Sequence, residues 1–135
     1  MKKLLFVAVL FVCNYRMHAQ MLTINNNTTC SVTFAVITSD PGTCDATYNS
    51  ANVNVSAGAS LNYSNISSLS WPLPAPPPNA SWSGIIILHD GQMKFAGDEC
   101  ASLPTTISYT ASCNGNTVNV NWTNNGGGNA TVDIN

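Results

Sequence analysis

Cations are the scarcest feature of this sequence. Four of its 135 residues are Lys or Arg, and Lys2, Lys3 and Arg16 fall within residues 1–19, which we interpret below as an export signal. The rest of the chain keeps only Lys94 against six carboxylates, a formal charge of −5. A chain without a cationic patch has nothing with which to neutralise phosphates. The sequence therefore predicts no nucleic-acid partner and no attraction to anionic lipid.

Long apolar runs and helix patterns are missing as well. The longest apolar run beyond the leader is Ile85-Ile86-Ile87-Leu88, whereas a membrane helix needs roughly 20 apolar residues. Asn, Thr and Ser supply 44 of the 116 residues from 20 to 135, and these residue types disfavour helix. No window places its apolar residues at the 3.6 spacing of a helix. We therefore predict no membrane span and little helix.

Residues 1–19 have the pattern of a secretory signal peptide. A basic start (MKK) precedes an apolar run over residues 4–12, and Ala19 offers a small residue before Gln20. A lipoprotein signal ending at Cys13 is the alternative, but Val12 stands where such a signal has a small residue. We predict cleavage after Ala19 and an exported domain over residues 20–135, either periplasmic or extracellular.

The exported domain would hold four cysteines, Cys30, Cys44, Cys100 and Cys113. An even number in an oxidising compartment predicts two disulfides, and the spacing lacks the C-x-x-C pair of a zinc site. A strand from Cys30 to Thr38 would be roughly 26 Å long. The six residues on to Cys44 reach back about 21 Å at most, which disfavours a Cys30–Cys44 bond. Of the two remaining arrangements, Cys30–Cys113 with Cys44–Cys100 fits best, because Cys30 opens one strand and Cys113 closes another.

Most of the exported domain alternates between apolar and polar residues, which is the period of a strand with one buried face. Asp90-Gly91 joins two such segments and predicts a tight hairpin, whereas residues 39–47 and the proline-rich residues 71–81 read as loops. The predicted strands centre on Leu22 and Ile24, on Cys30 to Val36, on Val53 and Val55, on Leu61 and Tyr63 with Ile66 beyond them, on residues 85–89 and 92–95, on Ile107, Tyr109 and Ala111, on Val118 to Trp122, and on Val132 and Ile134. We predict an all-β fold, a single antiparallel β-sandwich of about eight short strands.

Aromatic residues near the proline-rich loop form the first candidate site. Trp71 and Trp82 bracket the loop, and Tyr48 and Tyr63 lie in segments that reach the same edge. Exposed aromatic rings beside Asn and Ser are suited to sugars, because the ring stacks on the apolar face of a sugar while amides bond its hydroxyls. The alternative is that Trp71 and Trp82 pack as a lid over the core.

Acidic residues form the second candidate site. Asp40, Asp45, Asp98 and Glu99 flank the predicted Cys44–Cys100 bond, so they would share one end of the sandwich. Carboxylates together with loop carbonyls supply the oxygen ligands that calcium prefers. The alternative is a set of solvated charges, and calcium is the only cofactor that the sequence suggests.

The sequence offers few candidate catalytic residues. His89 is the one histidine beyond the leader, and its neighbour Asp90 belongs to the predicted hairpin turn. The sequence has no nucleophile elbow, zinc-protease motif or phosphate loop. The pair Asp98-Glu99 has the residue types of a glycosidase, but nothing in the sequence sets a cleft around it. We therefore predict a protein without catalytic residues.

The segment over residues 22–34 (LTINNNTTCSVTF), after a leader that ends His18-Ala19-Gln20, resembles small secreted Asn/Thr-rich proteins of Bacteroidota. The resemblance covers the leader and the first two strands. It implies export and β-structure, and it transfers no functional residue.

Together these features predict a secreted β-sandwich that binds a carbohydrate or another surface polymer. A structural or assembly component of the bacterial cell surface is the alternative, because exposed strand edges can pair with further copies. A small hydrolase that uses His89 or Asp98 and Glu99 is a third hypothesis.

Overall fold

A computed structural model describes residues 20–40, 43–44, 46–98 and 101–135. These residues form two β-sheets packed face to face, so the predicted all-β sandwich is confirmed. The strands in this part of the chain are β1 (Leu22–Asn26), β2 (Val32–Ser39), β3 (Ala46–Asn49), β4 (Val53–Val55), β5 (Ser60–Tyr63), β6 (Ser81–His89), β7 (Gln92–Gly97), β8 (Thr106–Thr110), β9 (Thr117–Gly126) and β10 (Asn129–Ile134). A 3₁₀ turn spans Ile66–Ser68.

The first sheet, sheet A, has the strand order β5-β1-β10-β9-β8, and the second, sheet B, has the order β3-β2-β6-β7 with β4 paired to β2. Neighbouring strands are antiparallel, except that β1 and β10 are parallel to each other. These two strands come from the two ends of the described chain. Among the described residues, no helix is long and apolar enough to cross a membrane.

The core lies between the two sheets and follows from the alternation of side chains along each strand. Sheet A contributes Leu22, Ile24, Val120, Val132 and Ile134, and sheet B contributes Phe34, Val36, Val55, Ile85 and Ile87, all of them fully buried. Predicted core residue Trp122 also lies here. A register shift between Ile37 and Thr38 lets Trp82, three residues before Ile85, face the same core.

The outward side of sheet A carries a continuous set of short polar side chains, which we call the polar face. Its fifteen residues comprise six Asn, six Thr, two Ser and one Asp: Asn62, Thr23, Thr131 and Thr123 in one row across the strands, Ser60, Asn25, Asp133, Asn121 and Thr106 in the next, Asn27, Asn135, Asn119 and Ser108 in the third, and Thr117 and Thr110 in the last. The outward side of sheet B carries an apolar cluster, in which Ala35, Ile37 and Ile86 are buried and Leu88 and Leu103 pack against them.

Local sequence signals account for most strands. The hairpin between β6 and β7 turns at Asp90 (φ 47°) and Gly91 (φ 73°), and two positive φ values are those of the predicted tight turn. Several expectations were wrong in detail. Strand β2 begins at Val32, so Cys30 lies before the strand that it was predicted to open. Strand β3 lies in a segment predicted to be loop, Ile66 is in the 3₁₀ turn, and Ala111 follows the end of β8. Strand β3 has the sequence ATYN, which carries no apolar alternation, and it forms by pairing with the edge of β2.

The predicted disulfide between Cys30 and Cys113 is present, with the two Cα atoms 6.1 Å apart. Cys30 precedes β2 of sheet B, and Cys113 follows β8 of sheet A, so the bond joins the two sheets. Cys100 lies outside the described residues, and the Cys44–Cys100 bond stays a prediction.

Asn26 reinforces this junction from within the core. Its side chain is 1% exposed, and its amide nitrogen lies 2.7 Å from the carbonyl oxygen of Cys30, 3.0 Å from that of Ser56 and 3.2 Å from that of Val55. Its Oδ1 accepts hydrogen bonds from the backbone N–H (3.1 Å) and the hydroxyl (2.7 Å) of Thr28. One buried amide therefore connects the end of β1 to the start of β2 and to β4.

We expect Asn26→Ala to lower the free energy of unfolding by about 2–3 kcal/mol, because it leaves buried carbonyl groups without donors. Asn27→Ala is the matched control. Asn27 is exposed, and among the described residues its side chain bonds only the exposed side chain of Asn135, so loss of that side chain should change stability by roughly 0.5 kcal/mol or less. Urea denaturation followed by circular dichroism measures both, and equal effects of the two substitutions would contradict the role of Asn26.

Candidate functional site

An open cleft of about 420 Å³ lies between the ends of the two sheets. It sits where β1 begins, whereas Asn26 and the Cys30–Cys113 bond lie where β1 ends. Its wall on sheet B comes from the end of β2, the start of β6 and the end of β7. Its wall on sheet A is the hairpin between β9 and β10. The lining residues are Ser39, Asp40, Ser81, Trp82, Asp98, Asn124, Gly126, Gly127, Gly128 and Asn129.

Two carboxylates that are far apart in sequence meet on this cleft. Asp98 is held by its surroundings, because its Oδ1 accepts a hydrogen bond from Ala101 N (3.0 Å) and its own N–H donates to Ser83 O (2.9 Å). Asp40 follows β2, and its buried Oδ1 has no hydrogen-bond partner among the described residues. No Lys, Arg or His is among the described lining residues. A buried carboxylate oxygen without a donor is costly, so a ligand that donates a hydrogen bond to Asp40 would be favoured.

The hairpin wall contributes hydrogen-bond donors. Asn124 Oδ1 accepts from Gly126 N at 2.9 Å, and Asn129 Oδ1 accepts from Met21 N at 2.8 Å. These bonds occupy the amide oxygens and orient the side chains. Neither amide nitrogen has a partner among the described residues, and each can donate two hydrogen bonds. The cleft therefore offers carboxylate acceptors on one wall and amide donors on the other.

Trp82 forms the inner part of the cleft. It is 3% exposed, and its indole Nε1 donates to Gln20 O at 2.8 Å. Gln20 in turn packs against Gly128, where a Cβ atom would lie 2.7 Å from Gln20 Cγ. Gly128 also has a φ of +83°, so both the space and the backbone require glycine there. These contacts hold the start of the described chain against the hairpin wall.

The four aromatic residues of the first predicted site do not form one exposed platform. Trp82 is in the core, and Trp71 is half-buried with its Nε1 donating to Ile66 O at 2.8 Å. Tyr48 lies on edge strand β3, and Tyr63 lies on edge strand β5 of the other sheet and packs against the core. Burial raises the pKa of the Tyr63 phenol above its ordinary value near 10. Only Trp82 of these four residues lines the cleft.

The acidic site is brought together in part. Asp40 and Asp98 share the cleft, as the sequence predicted, whereas Asp45 and Glu99 lie outside the described residues. Within the described ranges, no group of three or more His, Cys, Asp or Glu side chains is placed to hold a metal ion. The described residues alone therefore do not make a calcium site, and calcium binding stays a prediction.

His89 lies at the other end of β6 from the cleft. Its Nε2 is 3.0 Å from Asp90 Oδ2, and its ring contacts that of Tyr109 with the centroids 4.7 Å apart. Asp98 bonds Ser83, six residues back along β6, which is roughly 20 Å from His89. His89 and Asp98 are therefore too far apart to act together, and the hydrolase hypothesis would have to use His89 or the Asp98-Glu99 pair alone.

The sequence of the hairpin wall indicates a turn between two strands and carries no separate signal for a binding site. Residues 124–129 read NNGGGN, and β9 and β10 run into this segment from both sides. Ser39 and Ser81 carried no signal, because serine is common throughout the chain.

Comparisons of the chain with protein-family models, with curated proteins and with solved structures give no match. The function must therefore be inferred from the residues themselves.

We expect acrylamide to quench Trp71 far more than Trp82 or Trp122, because Trp71 is the only one of the three that is half-exposed. Trp71→Phe should remove most of the quenchable fluorescence, whereas Trp82→Phe should leave it in place. The opposite result, with quenching lost in Trp82→Phe, would contradict the placement of Trp82 in the core.

Proposed function

We propose that this protein is a secreted, non-catalytic binding domain and that the cleft binds a carbohydrate. The buried Asp40 Oδ1, which accepts no hydrogen bond from the described residues, carries this proposal, because a sugar hydroxyl would supply a hydrogen bond there. The Cys30–Cys113 bond supports export, since disulfides persist in oxidising compartments.

The mixture of groups on the two walls favours a sugar over a simple cation. A cation would use the oxygen ligands of Asp40 and Asp98 and would leave the amide donors of Asn124 and Asn129 without a role. A sugar hydroxyl both donates and accepts, so it can use the carboxylates and the amide donors of Asn124 and Asn129 together. A volume of about 420 Å³ is also within the range of small-molecule clefts. Trp82 adds an apolar indole edge beside the polar groups.

We expect Asp40→Asn and Asp98→Asn each to weaken sugar binding about tenfold or more, because a hydrogen bond to a charged group contributes roughly 1.5–3 kcal/mol. The sugar is first identified by screening the exported protein on an array of neutral and acidic oligosaccharides. Calorimetry with the sugar found there then gives the affinities, with and without EDTA, which separates direct binding from binding through calcium.

Asp90→Asn is the matched control, because it makes the same isosteric change at an exposed turn beside His89, at the other end of β6. It should bind like the wild type. The proposal fails if the array gives no ligand, or if all three variants retain the wild-type affinity.

A second candidate, assembly at the cell surface, is favoured by the edges of sheet A. Edge strand β8 has the sequence TISYT and edge strand β5 has the sequence SLNY, and each is paired on one side only within the described chain. Neither carries Lys, Pro or a bulge, which are the usual devices that prevent edge-to-edge pairing.

If these edges pair between copies, the mass measured by light scattering should rise with protein concentration. Ser108→Pro, in the middle of β8, should reduce that rise, because proline cannot donate a ladder hydrogen bond. A mass that stays at one chain over the whole concentration range would exclude assembly as the function.

A further inference from the structure

The polar face of sheet A is unusual in composition. Fourteen of its fifteen side chains are Asn, Thr or Ser, against 44 of 116 residues in the exported chain as a whole. It has one carboxylate, Asp133, and no cation, aromatic ring or aliphatic side chain. The outward side of sheet B, which has Ile37, Ile86 and a 40% exposed Phe95, shows that this composition is not a general property of the surface.

The side chains of the polar face hold one another in place. Ser60 donates to Asn25 Oδ1 (2.8 Å), and Asn25 donates to Asp133 Oδ1 (2.8 Å), which forms a chain of bonds across three strands. On β8 and β9, Thr106 donates to Asn121 (3.1 Å) and Ser108 donates to Asn119 (2.7 Å). Because these short side chains are already ordered, a ligand would meet a set of polar groups whose entropy cost of ordering is small.

These bonds leave much of the hydrogen-bonding capacity unused. Each Asn has two N–H donors and two acceptor sites, and each hydroxyl both donates and accepts. Neighbouring strands are roughly 4.8 Å apart, which is close to the length of one sugar ring along a polysaccharide chain. A chain of sugars lying across the strands could therefore present hydroxyl groups to one strand after another.

We infer that the polar face binds an extended, uncharged polysaccharide that lies across strands β5, β1, β10, β9 and β8. The absence of cations from the face disfavours an acidic polymer, and the absence of apolar side chains disfavours an apolar surface. Each hydrogen bond exchanged with water contributes only about 1 kcal/mol, so binding needs many simultaneous contacts. This surface is separate from the cleft, and it does not depend on the carbohydrate proposed there.

The test measures depletion of the exported protein from solution by insoluble microcrystalline cellulose and by chitin. We expect binding to at least one of the two solids that is equal at low and high NaCl, because no ion pair is involved. Short soluble fragments of the same polymer should not compete, since they make too few contacts.

Thr131→Lys tests the centre of the polar face, because a long charged side chain there would hold a polymer away. It should lower the partition coefficient about tenfold, and Ser108→Lys on β8 should act in the same direction if Thr131→Lys proves unstable. Asn54→Lys makes the same charge change on the outward side of sheet B, where Asn54 bonds Thr33, and should bind like the wild type. Thermal denaturation followed by circular dichroism checks that each variant is folded.

Three results would overturn the inference. The wild type could bind neither solid, or Thr131→Lys and Asn54→Lys could lose binding equally. The face could instead join two copies of the chain, in which case sedimentation would show a wild-type dimer that Thr131→Lys dissociates. Loss of cleft binding in Asp40→Asn with retention on the solid would show that the two surfaces act independently.

Discussion

The junction between the two sheets at Asn26 and the Cys30–Cys113 bond is the constraint on which the rest of the structure depends. Each sheet has an apolar inner face that is stable only against the other, so the relative placement of the sheets must be defined. The disulfide joins them covalently. The buried Asn26 amide then selects one placement, because its donors reach the carbonyls of Cys30, Val55 and Ser56 only when β1 and β4 lie where they do. A buried amide without partners would cost several kcal/mol, roughly 2–7 by transfer measurements.

The Asn26 and Cys30–Cys113 junction closes one end of the sandwich. The cleft lies at the opposite end, where loops and a hairpin form its walls. The β9–β10 hairpin faces the ends of β2, β6 and β7 across the cleft. Trp82 donates a hydrogen bond to Gln20 O and so holds Gln20 near that hairpin. The negative charge of the cleft follows from the scarcity of Lys and Arg in the sequence. Beyond residues 1–19, Lys94 is the only Lys or Arg in the sequence, and the fold places it on β7 outside the cleft lining. Asp40 and Asp98 are consequently left without a positively charged partner among the described residues.

The two sheets differ in what they present outwards, and this difference separates two kinds of interaction. Sheet A shows ordered amides and hydroxyls, whereas sheet B shows Ile37, Ile86 and Leu88 partly covered by Leu103. The Asn, Thr and Ser residues are therefore not spread evenly over the surface, as a role in solubility alone would require. It is concentrated where every second residue of five adjacent strands points away from the core, which makes a broad surface with one chemistry. The cleft, in contrast, offers a few convergent groups to a small ligand.

The sequence by itself determined the features that depend on neighbouring residues. Period-two alternation located Phe34 and Val120 on buried strand faces, and Asp90-Gly91 specified its own turn. A reach argument disfavoured Cys30–Cys44, and the positions of the cysteines relative to the predicted strands then favoured Cys30–Cys113. Only the tertiary structure decided the features that depend on distant residues. The parallel pairing of β1 with β10 joins residues more than 100 positions apart, and strand β3 exists only because the edge of β2 is available to it. The burial of Trp82 follows from a register shift against Thr38, and the presence of Asp98 and Asn129 on one cleft follows from the stacking of the sheets. Such contacts leave no local pattern, because their energy comes from surfaces that form only after the whole chain has folded.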